Sequence, residues 1–208
     1  MVFKIIDMSG FIDRIFGGKS EVDVAKARYA SALSFERSQL DKCLLGDYLK
    51  KHPKIYCSSF NQFLQGNLMK AEDRLIPLSE ELDCLKEYIE LYKTIREAHF
   101  YVEYEFPIEV ASLQIYPFMM FPMVQNAIQN GYNTMEKHPI KVRIKTIHEK
   151  VQMEVSNRIN HHVVNQGNTH FVEFYKQRLF IHYPEDHELI MNSNSNKFKA
   201  TVSIQLNN

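Results

Sequence analysis

An excess of positive charge is missing from this chain. Its 25 Lys and Arg are balanced by 25 Asp and Glu, and the isoelectric point falls near 7.1. No overall field draws such a chain onto nucleic acid or an anionic lipid surface, so nucleic acid is not an expected partner. Cysteine is scarce as well. Cys43, Cys57 and Cys84 are odd in number and widely spaced, with no CxxC pair and no histidine at zinc-finger spacing. They read as reduced thiols of the cytosol. Glycine is thin towards the C-terminus, where only Gly167 follows Gly131. Loops that wrap phosphates with bare backbone need conformations and close approaches that Cβ atoms obstruct, so the last third of the chain is poorly equipped to cradle them. The N-terminal stretch MVFKIIDMSGFIDRIFGG lacks the basic start, long apolar centre and cleavage site of a signal peptide. The apolar run from Ile115 to Ile128 falls short of the ~20 residues of a bilayer span. A cytoplasmic protein without a transmembrane segment is expected.

What remains is the composition of a folded protein, 45% hydrophobic and 24% charged. Ile5, Met8, Ile12, Ile15 and Phe16 fall at helical spacing before Gly17 and Gly18, which suits a short amphipathic helix docked on protein. Ser20 with Asp23 forms a capping-box pattern, and one long helix is expected from there to Leu49. Pro53 ends it; a second helix through Phe60, Phe63, Leu64 and Leu68 completes a helical hairpin. Leu78, Leu82, Leu85, Ile89 and Tyr92 then alternate spacings of four and three, the stripe of a well-buried helix.

From residue 100 the period changes to two. FYVEYEF, IKVRIKTI, KVQMEVSN, HELIMNS and KFKATVSIQL read as strands, with THFVEFYKQRLFIHY as a helix among them. Lys141, Arg143 and Lys145 share one strand face, which reads first as a solvated sheet surface. The fold class is α+β: a helical region over residues 1–76, then a two-layer α/β sandwich over 77–208 with helices on one face of a mixed, mostly antiparallel sheet.

One segment departs from ordinary amphipathicity. Between Glu109 and Glu136 there is no charge, and a helix over PFMMFPMVQNAIQNGY sets Met119, Met123, Val124, Ala127, Ile128 and Gly131 against Gln125, Asn126, Gln129, Asn130 and Asn133. Solvent faces are usually rich in Lys and Glu. An uncharged amide stripe suits a cavity wall or a partner surface; the plainer reading is a helix that happens to use amides.

IYPFMMFPMVQNAIQNG resembles the N-box helix of LytS-like sensor histidine kinases, which carry a GHKL (Bergerat-fold) ATPase domain, with a family pattern close to I-P-P-L-L-L-Q-P-L-V-E-N-A-I-K-H-G. Pro117, Pro122, Val124, Asn126, Ala127, Ile128 and Gly131 match without a gap. Upstream, Leu78, Glu81, Leu82, Leu85, Tyr88 and Leu91 are similar to the helix preceding that domain; downstream, Arg178, Leu179, Tyr183 and Pro184 are similar to its closing helix and strands. The resemblance covers roughly residues 58 to 206. It implies bacterial two-component signalling, ATP and Mg²⁺ as cofactors, Asn126 as a metal-coordinating residue, a homodimer through the N-terminal helices, and a response regulator or kinase as partner. A lone hairpin would leave Leu40, Leu44, Leu45, Phe60 and Leu64 poorly covered, which points the same way.

The departures from the pattern are as informative. Gln125 stands where the family has a catalytic acid, and Gln129 and Asn130 where Lys and His are usual. Asn157 occupies the place of the adenine-binding Asp, with Ile159 and His161 at glycine positions. The glycine-rich lid aligns with Thr169, His170, Phe171 and Val172. No phosphoacceptor stretch occurs between Ser20 and Lys51, and His52, the hairpin's one histidine, adjoins the helix-breaking Pro53. His161, His162 and His170 are irregularly spaced and read as surface histidines rather than metal ligands. The leading expectation is a catalytically degenerate kinase-like protein acting by dimerisation and partner binding. Its vestigial nucleotide pocket would comprise Gln125, Asn126, Asn130 and Asn157, with no cofactor expected and Asn126 a metal ligand only if Mg-nucleotide still binds. The alternatives are an active but divergent ATP-binding kinase and a phosphotransfer protein using the hairpin.

Overall fold

A computed structural model describes residues 21–51, 58–97, 100–107, 113–160 and 169–206. The expected N-terminal amphipathic helix, the Ser20 cap, His52, Cys57, His161 and His162 lie outside them.

The first helical stretch is two helices rather than one. α1 (Glu21–Gln39) ends before Asp41, and α2 (Lys42–Lys51) starts after it. The break is made by Asp41, whose Oδ1 accepts the backbone N–H groups of Cys43 at 2.8 Å and Leu44 at 3.2 Å, an N-cap inside a run of helical spacing. Its other oxygen accepts the hydroxyls of Tyr88 at 2.6 Å and Tyr92 at 2.8 Å. One carboxylate thus caps α2 and fixes it to α4 (Leu78–Arg96), the helix read from its four-and-three stripe. α3 (Ser58–Leu68) packs on α4 too, through Phe63 on Tyr88, and its Phe60 stacks on Tyr48 of α2 at 3.9 Å between ring centroids.

α1 is unusual in what it buries. Ala27, Ser31, Ser34, Phe35 and Ser38 recur at helical spacing and are all buried. Small side chains allow a close approach, and this face lies along α6 (Thr169–His182), the helix read from THFVEFYKQRLFIHY. The N-terminal helices therefore share one hydrophobic cluster with the rest of the chain, from Phe35, Leu44 and Phe60 through Leu82 and Phe121 to Val155 and Val202. Leu44 and Phe60, expected to need a second copy for cover, are buried within the chain itself; the covering surface comes from helices far away in sequence, which no local pattern announces.

The strands match their expected positions closely. β1 (Ile76–Pro77) pairs with β3 (Gln114–Ile115), and a six-stranded sheet runs β2 (Val102–Glu105), β5 (Ile140–Ile147), β6 (Lys150–Ile159), β8 (Lys197–Gln205), β7 (His187–Ser193), with β4 (Gly131–Tyr132) also on β6. β2 and β5 are parallel; the other pairs are antiparallel. Ile140, Val142, Ile144, Val151, Met153, Val155, Ala200, Val202 and Ile204 point to the buried face, against α5 (Phe121–Asn130) and its neighbours. The opposite face is charged, and there Lys141 pairs with Glu103, Arg143 with Glu105 and Lys199 with Glu154. This is the expected mixed sheet with helices on one face, and the basic stripe of β5 is a solvated surface balanced by acids.

Candidate functional site: the amide helix and its supports

The apolar opening of the N-box segment is not helical. α5 starts at Phe121 with Pro122 in its first turn, where a missing N–H costs nothing. Residues 116–120 instead form an irregular strap whose backbone is held by buried side chains at every step. Tyr116 N–H donates to Tyr183 Oη at 3.1 Å. Arg178 Nη2 donates to the Pro117 carbonyl at 2.8 Å. The Glu81 carboxylate accepts Phe118 N–H at 2.8 Å and Met120 N–H at 2.9 Å, and Tyr175 Oη donates to the Met119 carbonyl at 2.8 Å. Phe118 adopts φ 60°, a left-handed conformation that costs a bulky residue about 1–3 kcal/mol. Its ring packs edge-on against Phe35 and Phe121, and the bonds to Glu81 on either side hold it there.

Glu81 and Arg178 are both fully buried. Burial raises the Glu81 carboxyl to about 7, against the opposing pull of the two backbone N–H groups of Met120 and Phe118. Burial likewise lowers the Arg178 guanidinium to about 10, with the carboxylates of Glu72 and Glu81 opposing it. Arg178 Nη1 meets Glu72 at 3.1 Å, Glu72 accepts the Ser31 hydroxyl at 2.9 Å, and the guanidinium lies 5.0 Å from the centroid of Phe35. The strap, α1 and α6 thus converge on one arginine. Arg178 and Glu81 were legible only as matches to a family pattern; their structural task was not.

The amide stripe divides into two sets. Gln125 is fully buried and faces α1: Ser38 Oγ donates to its Oε1 at 3.1 Å, and its Nε2 donates to the Arg37 carbonyl at 3.3 Å. Gln129 reaches Asp41 at 3.5 Å, so it too is turned to the N-terminal helices. Asn126 and Asn130 are half-buried and bond each other, Asn130 Nδ2 donating to Asn126 Oδ1 at 2.8 Å. Asn133 closes the helix by donating to the Ile128 carbonyl at 2.8 Å. Asn157 is 5% exposed; its Nδ2 donates to the Arg158 carbonyl, while its Oδ1 has no partner among the described residues. It lies against Gly131, where an added Cβ would come within 2.3 Å of the Ala127 carbonyl oxygen and 2.8 Å of Asn157 Nδ2. Gly131 is required by space and not by φ, which is −84°.

Of the expected pocket residues, Asn126, Asn130 and Asn157 therefore gather at the C-terminal end of α5, and Gln125 sits apart from them under α1. At the lid position, His170, Phe171 and Val172 lie in the first turn of α6; Phe171 is buried and, with Phe174, faces Arg37 of α1 at 5.9 and 5.6 Å from the ring centroids. Among the described residues no group of three or more His, Cys, Asp or Glu is placed to hold a metal ion, and no helix is long and apolar enough to cross a membrane.

No protein-family model matches the chain. A curated relative, the sensor protein LytS of Enterococcus faecalis, is 26% identical over 96 residues, 46% of this chain but 16% of that protein's length. Among solved structures, the Acinetobacter baumannii histidine kinase AdeS aligns with a TM-score of 0.47 at 8% identity, covering 81% of this chain and 95% of that one. The histidine kinase domain of the Erythrobacter litoralis EL346 blue-light activated histidine kinase aligns with a TM-score of 0.46 at 13% identity, covering 89% and 94%. The in-register N-box motif and the sequence match make this chain similar to the C-terminal, GHKL-bearing region of LytS-like sensor histidine kinases.

Proposed function

We propose that this chain is a cytoplasmic, catalytically degenerate histidine-kinase-like signalling protein that acts by dimerisation and partner binding, without productive use of Mg·ATP. The observation that carries the reading is the fate of Gln125. At the position where the related pattern has an acid, this chain has an amide whose acceptor and donor are both consumed by α1, through Ser38 and the Arg37 carbonyl. A carboxylate there would meet the Arg37 carbonyl oxygen with no proton to share. Two further features support it. Asn126, the residue left to bind Mg²⁺, has an amide partner and no neighbouring carboxylate from Gln125, and a hard cation needs negative oxygen ligands. The lid position is spent on packing, with Phe171 against α1.

The test is calorimetry with Mg·ATP on the intact chain and on Asn126→Ala. Each lost charge-assisted contact to phosphate is worth about 1.5–3 kcal/mol, so the loss of two or more moves a micromolar site to the millimolar range. A low-micromolar dissociation constant abolished by Asn126→Ala would overturn the reading in favour of a divergent active kinase. The phosphotransfer alternative rests on His52, outside the described residues.

Dimerisation has a surface available to it. The groove between α1 and α6 has an apolar floor of Ala27, Tyr29, Leu33 and Phe174 flanked by Asp23, Lys26 and Glu173, and Tyr29 is 69% exposed. Light scattering at tens of micromolar is expected to give the mass of two chains, reduced to one by Tyr29→Lys; a single-chain mass for the unaltered protein ends this part of the proposal. A response regulator or a kinase is the partner class that fits.

A further inference from the structure

Part of the solvent face of the sheet is electrically balanced. Along β5 and β8, Lys141, Arg143 and Lys199 each meet a carboxylate. Where β6 ends and β8 begins, Arg158 and Lys197 lie directly opposite each other in register, and neither has an acidic partner among the described residues. Like charges facing across a strand pair are destabilising. The arrangement is nevertheless built firmly: Asn194 Oδ1 accepts the N–H groups of Asn196 at 2.9 Å and Lys197 at 2.8 Å, and Ile159 N–H donates to the Asn196 carbonyl at 3.0 Å.

These residues border a cleft of about 370 Å³, roughly the size of a small-ligand site. Lys137 and His138 close it from the loop before β5, Lys141 and Ser156 from the adjacent register pair, and no carboxylate lines it. In a chain with no net charge, four permanent cations and a histidine border one cleft, and of the four Lys141 is paired, with Glu103. Strand alternation puts Lys141, Ser156, Arg158 and Lys197 on the face opposite the buried Val155; buried Asn157 also borders the cleft at the strand end, whereas Asn126 and Asn130 do not line it.

We infer that this cleft binds a small oligophosphate anion, with Arg158 and Lys197 gripping its oxygens and Ser156 available as a neutral donor. Binding would neutralise the repulsion between the two cross-strand cations. The cleft adjoins the amide site at Asn157 but takes in neither Asn126 nor Asn130, and its cations need no Mg²⁺ to hold an anion.

The experiment is calorimetry of the intact chain with sodium tripolyphosphate, metal-free, at two salt concentrations. Arg158→Gln and Lys197→Gln are each expected to weaken binding about tenfold, the worth of one charge-assisted contact. Lys176→Gln, the same change of charge at an ion-paired position on α6, and Asn126→Ala are expected to leave it unchanged. Both cleft substitutions are on an exposed surface and relieve repulsion, so folding is not at stake. Absence of binding at low salt, equal weakening by Lys176→Gln, or loss of binding in Asn126→Ala would each overturn the assignment; the last would move the ligand to the amide helix.

Discussion

The two ends of α5 are built on opposite plans. At the N-terminal end, each residue from Tyr116 to Met120 has a backbone polar group bonded to a buried side chain, and two of those side chains, Glu81 and Arg178, are ionisable and fully buried. At the C-terminal end the helix's own side chains are uncharged amides: Asn130 donates to Asn126, Gln129 reaches the Asp41 carboxylate, and buried Asn157 leaves its Oδ1 unpartnered among the described residues. Buried ions are retained only where their partners are fixed, because desolvation costs several kcal/mol per ion. The expensive chemistry of this molecule therefore positions the entrance of the helix. The C-terminal end is left with weakly bonded neutral amides.

The largest way to break the contrast is at Arg178. Its guanidinium answers the Pro117 carbonyl and Glu72 together and lies beside Glu81, so Arg178→Met removes the strap's anchor and strands a buried carboxylate. A loss of about 3–5 kcal/mol is expected in urea unfolding. A cost below about 1 kcal/mol would show that the strap holds without its ion.

Glu81 offers the pH-dependent version. Its carboxyl is raised from 4.5 to about 7 by burial, so between those values the folded chain holds a proton that the unfolded chain has released. Stability then falls as pH rises through this window and levels off above about 7, a contribution of about 3 kcal/mol in all. Glu81→Gln removes the titration, and the difference between wild type and variant should carry that slope. A wild-type curve parallel to the Glu81→Gln curve from pH 4.5 to 8 would contradict it.

How far this was legible follows from the same two regions. Alternation located the strands near residues 140–147, 150–159 and 197–205, because one buried face imposes a period of two that only a sheet satisfies. The strap was not legible: an unbroken apolar run reads alike as helix or as buried irregular chain, and the local signal for the true start was Pro122 in the first turn. The division at Asp41 was signalled only by an N-cap residue inside a continuous helical rhythm. Among the candidate site residues, the register of Asn126 came directly from the motif, but the partner of Gln125 is 87 residues away at Ser38, and no local pattern encodes that pairing.

That pairing gives a third, smaller test. Gln125→Glu restores the acid of the related pattern, yet it deletes the donor to the Arg37 carbonyl and sets two oxygens against each other in a fully buried site. A destabilisation of about 2 kcal/mol is expected, with no gain in Mg·ATP affinity. A stable Gln125→Glu protein that binds Mg·ATP would mean that α1 yields readily and that the amide end is an intact site lacking one charge.

The smallest effect belongs to Asn126, the residue on which the contrast depends most. It is half-buried, and its one side-chain bond is accepted from Asn130, a neighbour four residues along the same helix. Asn126→Ala loses that bond, worth about 0.5–1 kcal/mol at such a site, and regains roughly 0.5 kcal/mol because alanine is the better helix former. The two terms nearly cancel, so thermal unfolding should shift by no more than about 0.5 kcal/mol in either direction. Arg178→Met, acting at the other end of the same ten-residue helix, is expected to cost several times more. A loss of about 2 kcal/mol or more in Asn126→Ala would place a structural role at the C-terminal end and erase the contrast, since a side chain with a single local amide partner has no other route to so large a cost.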